Sequence, residues 1–133
     1  MMLRRALLPR LVACLLLSLL AALLAGCSTA GDDGGVPAWA GGLPTVQASD
    51  LPAEARRTLE LIDEGGPFPH ERDGVVFGNF EGLLPQHDRG YYHEYTVPTP
   101  GSDGRGARRI VTGRNGETYY TDDHYASFRA VLR

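Results

Sequence analysis

Three kinds of side chain that can act on a phosphate ester occur in the last third of this 133-residue sequence. Glu94 lies inside a β-prone run, Arg105, Arg108 and Arg109 form a cluster, and His124 lies near the end of the chain. A carboxylate can take a proton, guanidinium groups can hold an anion, and an imidazole can give a proton. Together these groups supply what phosphodiester cleavage requires.

The period of a β-strand predicts which of these side chains share a face. Tyr92, Glu94 and Thr96 point to one side of their predicted strand. A base, an anion clamp and an acid would then meet on one concave sheet face if Arg109 and His124 reach the same side. The alternative is structural, with Glu94 and Arg109 in a cross-strand ion pair and His124 in a turn. Spacing alone favours this structural interpretation.

One amphipathic helix is expected to precede the strands. Apolar residues recur at helical spacing over residues 52–64, and Gly65-Gly66 supplies a stop signal. Ser49 or Asp50 is available as the N-cap, with a proline in the first turn. We therefore predict a helix over residues 52–64.

The rest of the chain predicts strands. Asn115-Gly116 between two β-prone runs is a strong hairpin signal. One helix packed on a twisted antiparallel sheet gives an α+β domain over residues 45–133. The β-prone runs cover residues 75–77, 91–97, 108–112, 117–121 and 125–132.

The charge balance excludes one class of function. The chain has 13 arginines, no lysine and 16 acids, and all of the acids follow Cys27. A generally basic clamp for nucleic acid is therefore excluded, because such proteins place a net positive charge on the phosphate backbone.

The N-terminus has the pattern of an export signal. Three arginines precede an uncharged run over residues 11–25, and small residues follow it. The run ends in Leu-Ala-Gly-Cys at residues 24–27, which resembles a bacterial lipobox with Cys27 as the lipidated residue. We predict a signal peptide over residues 1–26 and a flexible Gly-, Ser- and Pro-rich tether over residues 27–44.

Two alternatives remain open for this segment. The uncharged run is long enough to span a bilayer as an uncleaved helix, and ordinary secretion with nearby cleavage is the other possibility. The two cysteines are Cys14 and Cys27. No thiol remains downstream for a disulfide or a thiolate metal site.

Several stretches together resemble a known family. They resemble the guanyl-preferring microbial ribonucleases, the barnase-like family, and especially its short acidic members. The stretches are LPAEA at 51–55, GPFP at 66–69, DGVVF at 73–77, LP at 84–85, GYYHEYTV at 90–97, GARRI at 106–110 and DHYA at 123–126.

The resemblance implies the microbial ribonuclease fold and a role for each candidate residue. Glu94 matches the general base and His124 the general acid. Arg105 and Arg109 match the phosphate-binding arginines, and Tyr125 matches a tyrosine that contacts the phosphate. The implied reaction cleaves single-stranded RNA to a 2',3'-cyclic phosphate and then to a 3'-phosphate, without a metal or other cofactor.

The same resemblance assigns base recognition to one loop. Backbone N–H groups of Phe77, Gly78, Asn79 and Phe80 would face guanine O6, and Glu81 would accept from N1–H and the exocyclic amine. Only guanine offers this order of acceptor and donors. Without the resemblance, Glu81 is a solvated loop acid.

Three residues depart from the family pattern near this loop. Gly78 and Phe80 stand where relatives often carry longer polar or basic side chains. His70 replaces an aromatic residue expected beside the base site. Base preference is expected to survive, because recognition uses mostly backbone groups, while affinity is expected to change.

Two further functions compete with an anchored nuclease. One is a ribonuclease-like module that binds nucleotides or a protein without efficient catalysis, although Glu94, Arg105, Arg109 and His124 are all present. The other is a secreted ribonuclease toxin whose producer is protected by a barstar-like inhibitor protein. The expected partners are single-stranded RNA, such an inhibitor, and a membrane through lipid on Cys27, and the protein is expected to be a monomer.

Overall fold

The computed structural model describes residues 35–133, which form one α-helix and a six-stranded sheet. The helix, α1, spans Ala53–Glu64. The strands are β1 (Thr45–Gln47), β2 (Val75–Phe77), β3 (Tyr92–Thr96), β4 (Arg109–Thr112), β5 (Thr118–Thr121) and β6 (Arg129–Leu132). The predicted α+β class is therefore confirmed.

The sheet is mixed rather than purely antiparallel. Its strand order is β1-β6-β5-β4-β3-β2, and every neighbouring pair is antiparallel except β1 and β6. Val46 of β1 lies beside Val131 of β6 in a parallel register. β1 was not predicted from the sequence, because its three residues, TVQ, contain one apolar side chain and form no apolar run, whereas β2 is VVF.

The helix begins differently from the prediction and ends as predicted. Pro52 occupies the N-cap and makes no side-chain capping bond. Ser49 and Asp50, the predicted caps, lie in a short 3-10 turn instead. Gly65 ends the helix with a φ of 78°, a left-handed conformation that glycine adopts at little cost.

The two faces of the sheet do different things. On one face, α1 packs its buried residues Ala55 and Leu59 against an apolar layer. That layer consists of Leu51, Val97, Ile110, Tyr120 and Val131. The helix therefore stabilises the sheet from behind and leaves the opposite face available for a site.

The opposite face carries the candidate residues. The ladder register places Glu94 beside Val111 and Thr96 beside Arg109. Arg109 in turn lies beside Thr121 on β5. These side chains share a face because directly paired residues of neighbouring strands point the same way. Glycine at position 116, with a φ of 89°, closes the predicted β4–β5 hairpin.

The end of the predicted tether is part of the packed domain. Ala40 is fully buried, and Trp39 packs edge-on against Tyr119 with ring centroids 5.7 Å apart. Tyr119 also donates its hydroxyl to the carbonyl oxygen of Trp39 at 2.6 Å. The packed unit begins at Val36 rather than at residue 45, because these apolar groups cover the end of the sheet.

The predicted signal peptide and the first part of the tether, residues 27–34, lie outside the described residues. Across residues 35–133, no helix combines the length and apolar character needed to cross a bilayer.

Candidate active site

Glu94 lies in the middle of β3 with only 7% of its surface exposed. Its Oε2 accepts a hydrogen bond from the Tyr125 hydroxyl at 2.9 Å. Its Oε1 lies 3.9 Å from Nη2 of Arg105. A buried carboxylate needs such hydrogen-bond and charge partners. Glu94 also lines a cavity, so its carboxylate is accessible to a ligand there.

Arg105 comes from the loop between β3 and β4, and a buried threonine holds it. Its Nε and Nη2 both donate to Oγ1 of Thr96, at 3.2 and 2.8 Å. Thr96 is 2% exposed. The sheet therefore orients a loop guanidinium toward Glu94.

Arg109 is 2% exposed and is held mainly by backbone. Its Nη1 donates to the carbonyl oxygens of Gly106 at 3.0 Å and Arg108 at 2.7 Å. Its Nε is buried and has no partner within the described residues. Such unmet donor capacity on a buried cation suits an anionic ligand.

The cross-strand ion pair considered as the structural alternative does not form. Within residues 35–133, no ion pair joins Glu94 to Arg109, and Arg105 is the cation that approaches Glu94. The register explains the difference, because Arg109 lies beside Thr96 rather than beside Glu94.

His124 and Tyr125 occupy a strained turn after β5. Both have left-handed backbones, with φ of 57° and 70°, which non-glycine residues rarely adopt. The His124 N–H donates to the carbonyl oxygen of Ala107 at 3.0 Å, and the Tyr125 N–H donates to Oγ1 of Thr121 at 3.2 Å. Strained backbone of this kind is concentrated at functional sites. The predicted run over residues 125–132 therefore begins as a turn, and its strand starts only at Arg129.

Asp123 holds this turn together. Its Oδ1 accepts from Oγ1 of Thr121 at 2.8 Å and from the Ser127 N–H at 2.9 Å, and its Oδ2 accepts from the Ser127 hydroxyl. The bonds from Ser127 and then Thr121 lower the pKa of Asp123 to about 2. The charged carboxylate thus fixes the residues on either side of His124.

Tyr125 links the carboxylate to the arginine. Burial, and then the hydrogen bond to Glu94, raises the pKa of the Tyr125 phenol. The phenol therefore stays protonated and donates. Its ring stacks on Phe77 at 5.3 Å between centroids and lies 5.9 Å from the Arg109 guanidinium carbon.

A cavity of about 310 Å³ connects the predicted base loop to the carboxylate. Its lining includes all five residues of that loop together with Glu94 and Tyr125: Phe77, Gly78, Asn79, Phe80, Glu81, Glu94 and Tyr125. Arg105, Arg109 and His124 do not line the cavity; the contacts with Glu94, Tyr125 and the β5 turn place them next to it.

The sequence analysis missed several cavity walls. Arg72, Leu83 and Phe128 also line it. Phe128 additionally packs edge-on against Phe77 with centroids 5.8 Å apart. None of the three lies in a strand, and no sequence signal identifies them, because loop side chains become cavity walls only through tertiary contact.

The base loop is rigid at its centre and open at its tip. The Asn79 side chain donates to the Leu84 carbonyl at 2.9 Å and accepts from the Leu84 N–H at 3.1 Å. Phe80 and Glu81 are exposed. The asparagine therefore braces the backbone while the neighbouring groups stay available to a ligand.

His70 is not beside the base site, contrary to the prediction. It does not line the cavity, and its Nδ1 lies 3.5 Å from Oδ2 of Asp73. Asp73 accepts from the His70 N–H at 3.1 Å and from the Thr96 N–H at 2.8 Å. His70 thus belongs to the turn that leads into β2.

The geometry supplies a buried carboxylate, two positioned guanidiniums, an exposed imidazole and a base-sized cavity. Across residues 35–133, no group of three or more histidine, cysteine, aspartate or glutamate side chains is arranged to hold a metal ion.

Comparison with known proteins identifies the family. The family model described as ribonuclease matches residues 37–132. The chain belongs to the ribonuclease family. The match begins at Pro37, one residue after Val36, where the packed unit begins.

The similar sequences are guanyl-specific ribonucleases. The chain is 70% identical over 84 residues to guanyl-specific ribonuclease Sa3 of Kitasatospora aureofaciens, covering 62% of this chain and 60% of Sa3. It is 57% identical over 91 residues to guanyl-specific ribonuclease St of Saccharopolyspora erythraea, covering 68% of this chain and 90% of St. Guanyl-specific ribonuclease Sa of Kitasatospora aureofaciens is 58% identical over 88 residues, covering 65% of this chain and 92% of Sa.

Solved structures agree with the fold. Ribonuclease Sa2 in complexes with mononucleotides has a TM-score of 0.68 and 53% identity, covering 68% of this chain and 95% of Sa2. Ribonuclease Sa2 with guanosine-2'-cyclophosphate has a TM-score of 0.65 and 52% identity, covering 68% and 96%. The predicted resemblance to guanyl-preferring microbial ribonucleases is confirmed.

Proposed function

We propose that the protein is a guanyl-preferring endoribonuclease that cleaves single-stranded RNA. One observation carries the proposal: a single cavity is lined both by the base loop and by the Glu94–Tyr125 pair. A guanosine bound along it would have its base at the loop and its ribose at the carboxylate. The guanyl specificity of Sa, Sa3 and St supports the same base preference.

Glu94 and His124 divide the proton transfers. Glu94 takes the proton from the ribose 2'-OH, and the resulting oxygen attacks the adjacent phosphorus. His124 gives a proton to the leaving 5'-oxygen, and a 2',3'-cyclic phosphate forms. In the second step, water attacks the cyclic phosphate with the two roles reversed, and the product is a 3'-phosphate.

Three neighbouring groups stabilise the transition state. Arg105 and Arg109 supply positive charge to the non-bridging phosphate oxygens, and the Tyr125 hydroxyl is a neutral donor beside them. Arg109 is buried and is held by a backbone hydrogen bond. Its guanidinium group therefore needs little reorganisation when negative charge develops on the phosphate oxygens. No metal or cofactor takes part in these steps.

The base loop selects guanine. The backbone N–H groups of residues 77–80 face O6, and the Glu81 carboxylate accepts from N1–H and the amine. The bond pair between Asn79 and Leu84 holds the backbone donors in place before the ligand arrives. Preorganisation of this kind favours specificity, because little ordering cost is left for binding.

A dinucleotide assay tests the proposal. The purified protein is incubated with GpN, ApN and CpN in the presence of a chelator, and Glu94→Gln serves as the inactive control. We expect guanosine 2',3'-cyclic phosphate to appear first, and far faster than the adenosine or cytidine product. Equal cleavage of all three substrates would contradict the base assignment, and cleavage that stops with chelator would contradict the mechanism.

We also propose that the protein is exported and anchored through lipid on Cys27. The positive, apolar and small-residue order of residues 1–27 supports this. Stable anchoring takes two acyl signals, because a single chain binds membranes only marginally. Wild-type protein should incorporate labelled palmitate and begin at residue 27, and Cys27→Ser should abolish both. A wild-type chain that retains Met1 without lipid would indicate a spanning helix instead.

Two partner predictions accompany this proposal. A barstar-like inhibitor would protect a producing cell from a secreted toxin of the same chemistry, and the protein is expected to act as a monomer. Co-purification with such an inhibitor and the mass in solution test these predictions separately.

A further inference from the structure

Three rings near the base loop are flanked by a guanidinium group at each end. Phe80 is 89% exposed, and the Arg89 guanidinium carbon lies 5.9 Å from its ring centroid. His87 stacks on Tyr91 at 3.7 Å between centroids with an interplanar angle of 9°. Arg114 lies 5.6 Å from the same tyrosine ring. We call these five residues the outer strip.

A second cavity is lined by two residues of the outer strip. It has a volume of about 230 Å³. Its lining includes Phe80 and His87 and also Gly78 and Glu81, which line the first cavity too. The base loop is therefore a wall common to both cavities. A ligand that leaves the first cavity over this wall meets the outer strip directly.

The fold gives no packing reason for the exposed ring of Phe80. An aromatic side chain buries a large apolar area when it serves a core, and this one does not. A Cβ atom at Gly78 would lie 2.5 Å from the Phe80 ring, so glycine at that position lets the ring lie flat along the loop. The pair presents an aromatic surface to whatever approaches the loop.

The chemistry of the outer strip fits a single-stranded nucleic acid. Exposed aromatic faces stack bases, and nearby guanidiniums attract the phosphates between them. The acids here are Glu81, Asp88 and Glu117. Glu117 is engaged by the Tyr91 hydroxyl at 2.6 Å and by the Asn115 N–H at 3.2 Å.

We propose that the outer strip binds the nucleotide on the 5' side of the guanosine. This inference rests on the proposed function, which places the 3'-phosphate of the guanosine at Glu94 and His124. The RNA chain on the 3' side of that phosphate must lie on the catalytic side of the loop. The nucleotide on the 5' side of the guanosine therefore reaches the outer side. There Phe80 or His87 stacks on its base, and Arg89 and Arg114 hold its phosphate.

The test compares substrates extended on one side only. The rate constant kcat/KM is measured for GpA, ApGpA and GpApA at low salt, with wild type and with the double variant Arg89→Gln/Arg114→Gln. We expect the 5' adenosine of ApGpA to raise kcat/KM by about tenfold, mainly because Arg89 and Arg114 hold the added phosphate through charge-assisted contacts. The double variant should lose this gain while cleaving GpA at the wild-type rate. Arg57→Gln, on the exposed side of the helix, is the matched control and should change nothing.

A binding measurement keeps this test independent of catalysis. Oligonucleotides with 2'-deoxyguanosine lack the attacking hydroxyl, so their affinity can be titrated without cleavage. We expect a 5'-extended oligonucleotide to bind about tenfold more tightly than the unextended one, and the double variant to remove the difference. The proposal is overturned if 5' extension adds no affinity, if only 3' extension does, or if the double variant keeps the gain. If the protein cleaves none of these substrates but binds 5'-extended oligonucleotides more tightly as expected, the proposed function is overturned. The binding role of the outer strip would then still be supported.

Discussion

Thr96 Oγ1 accepts two hydrogen bonds from one guanidinium group, Nε and Nη2 of Arg105. The threonine is buried in β3 and is paired directly with Arg109 of β4, and Arg105 comes from a loop. The distance of 3.9 Å between Arg105 and Glu94 therefore depends on a hydroxyl that is hydrogen-bonded to the guanidinium group. Thr96 acts as a positioning residue.

Thr96→Val removes this hydroxyl while keeping the shape of the side chain. We expect kcat/KM for GpN to fall by about tenfold, since a hydrogen bond to a charged group is worth about 1.5 to 3 kcal/mol, with most of the loss in kcat. Thr96→Ser should restore most of the activity. Stability measured by urea unfolding is the control: if both variants are destabilised alike and equally active, Thr96 has no positioning role.

Glu94→Gln and His124→Gln should each lower kcat/KM by about 100-fold or more, the usual contribution of a general base or acid. Because one group must be charged and the other protonated, the wild-type pH profile should be bell-shaped. Each variant should lose one limb of the bell. An unchanged profile in either variant would show that the residue does not transfer protons.

Glu81→Ala should separate base choice from chemistry. The carboxylate reads two donors of guanine, and a bidentate contact is worth about 1 to 3 kcal/mol of discrimination. We expect the ratio of kcat/KM for GpN to kcat/KM for ApN to fall by the factor that corresponds to this free energy. Slow cleavage of both substrates should persist. Glu71→Ala, another exposed acid before β2, is the matched control and should leave the ratio unchanged.

Asp123→Asn should change the pH dependence of stability. The folded-state pKa of Asp123 is lowered to about 2, below the value of about 3.9 for an unfolded chain. Its contribution is therefore fully present above pH 4 and is lost as the pH falls toward 2. The difference in Tm between wild type and variant should shrink across that window. A difference in Tm that stays constant for Asp123→Asn would refute the role of its charge.

Trp39→Ala tests whether the end of the predicted tether belongs to the domain. Trp39 packs on Tyr119 and neighbours the fully buried Ala40. We expect the free energy of unfolding to fall by about 1 to 3 kcal/mol, because the side chain is only partly buried. Val36→Ala, at an exposed position, is the control. A Trp39 variant as stable as the Val36 variant would indicate that residues 36–44 belong to the tether and not to the folded domain.

Local features of the chain were predictable from the sequence. The helix over residues 52–64 agrees with α1 within one residue, and the stop at Gly65 and the hairpin at Asn115-Gly116 are present. These features depend on neighbouring residues, through helical periodicity and through glycine's access to positive φ. The candidate site residues were assigned through the family resemblance, because spacing alone favoured a structural interpretation.

Contacts between distant parts of the chain were decided only by tertiary structure. The parallel pairing of β1 with β6 joins the two ends of the domain, and no local signal specifies a partner so far along the chain. Tertiary structure also decided that Arg105 rather than Arg109 lies beside Glu94. It likewise decided that the Tyr125 hydroxyl donates to the Glu94 carboxylate. The sequence by itself determined which chemical groups the protein has and where its local elements begin and end. Which of those groups meet was decided by the strand register and by the strained turn after β5, because both depend on the packing of the whole sheet.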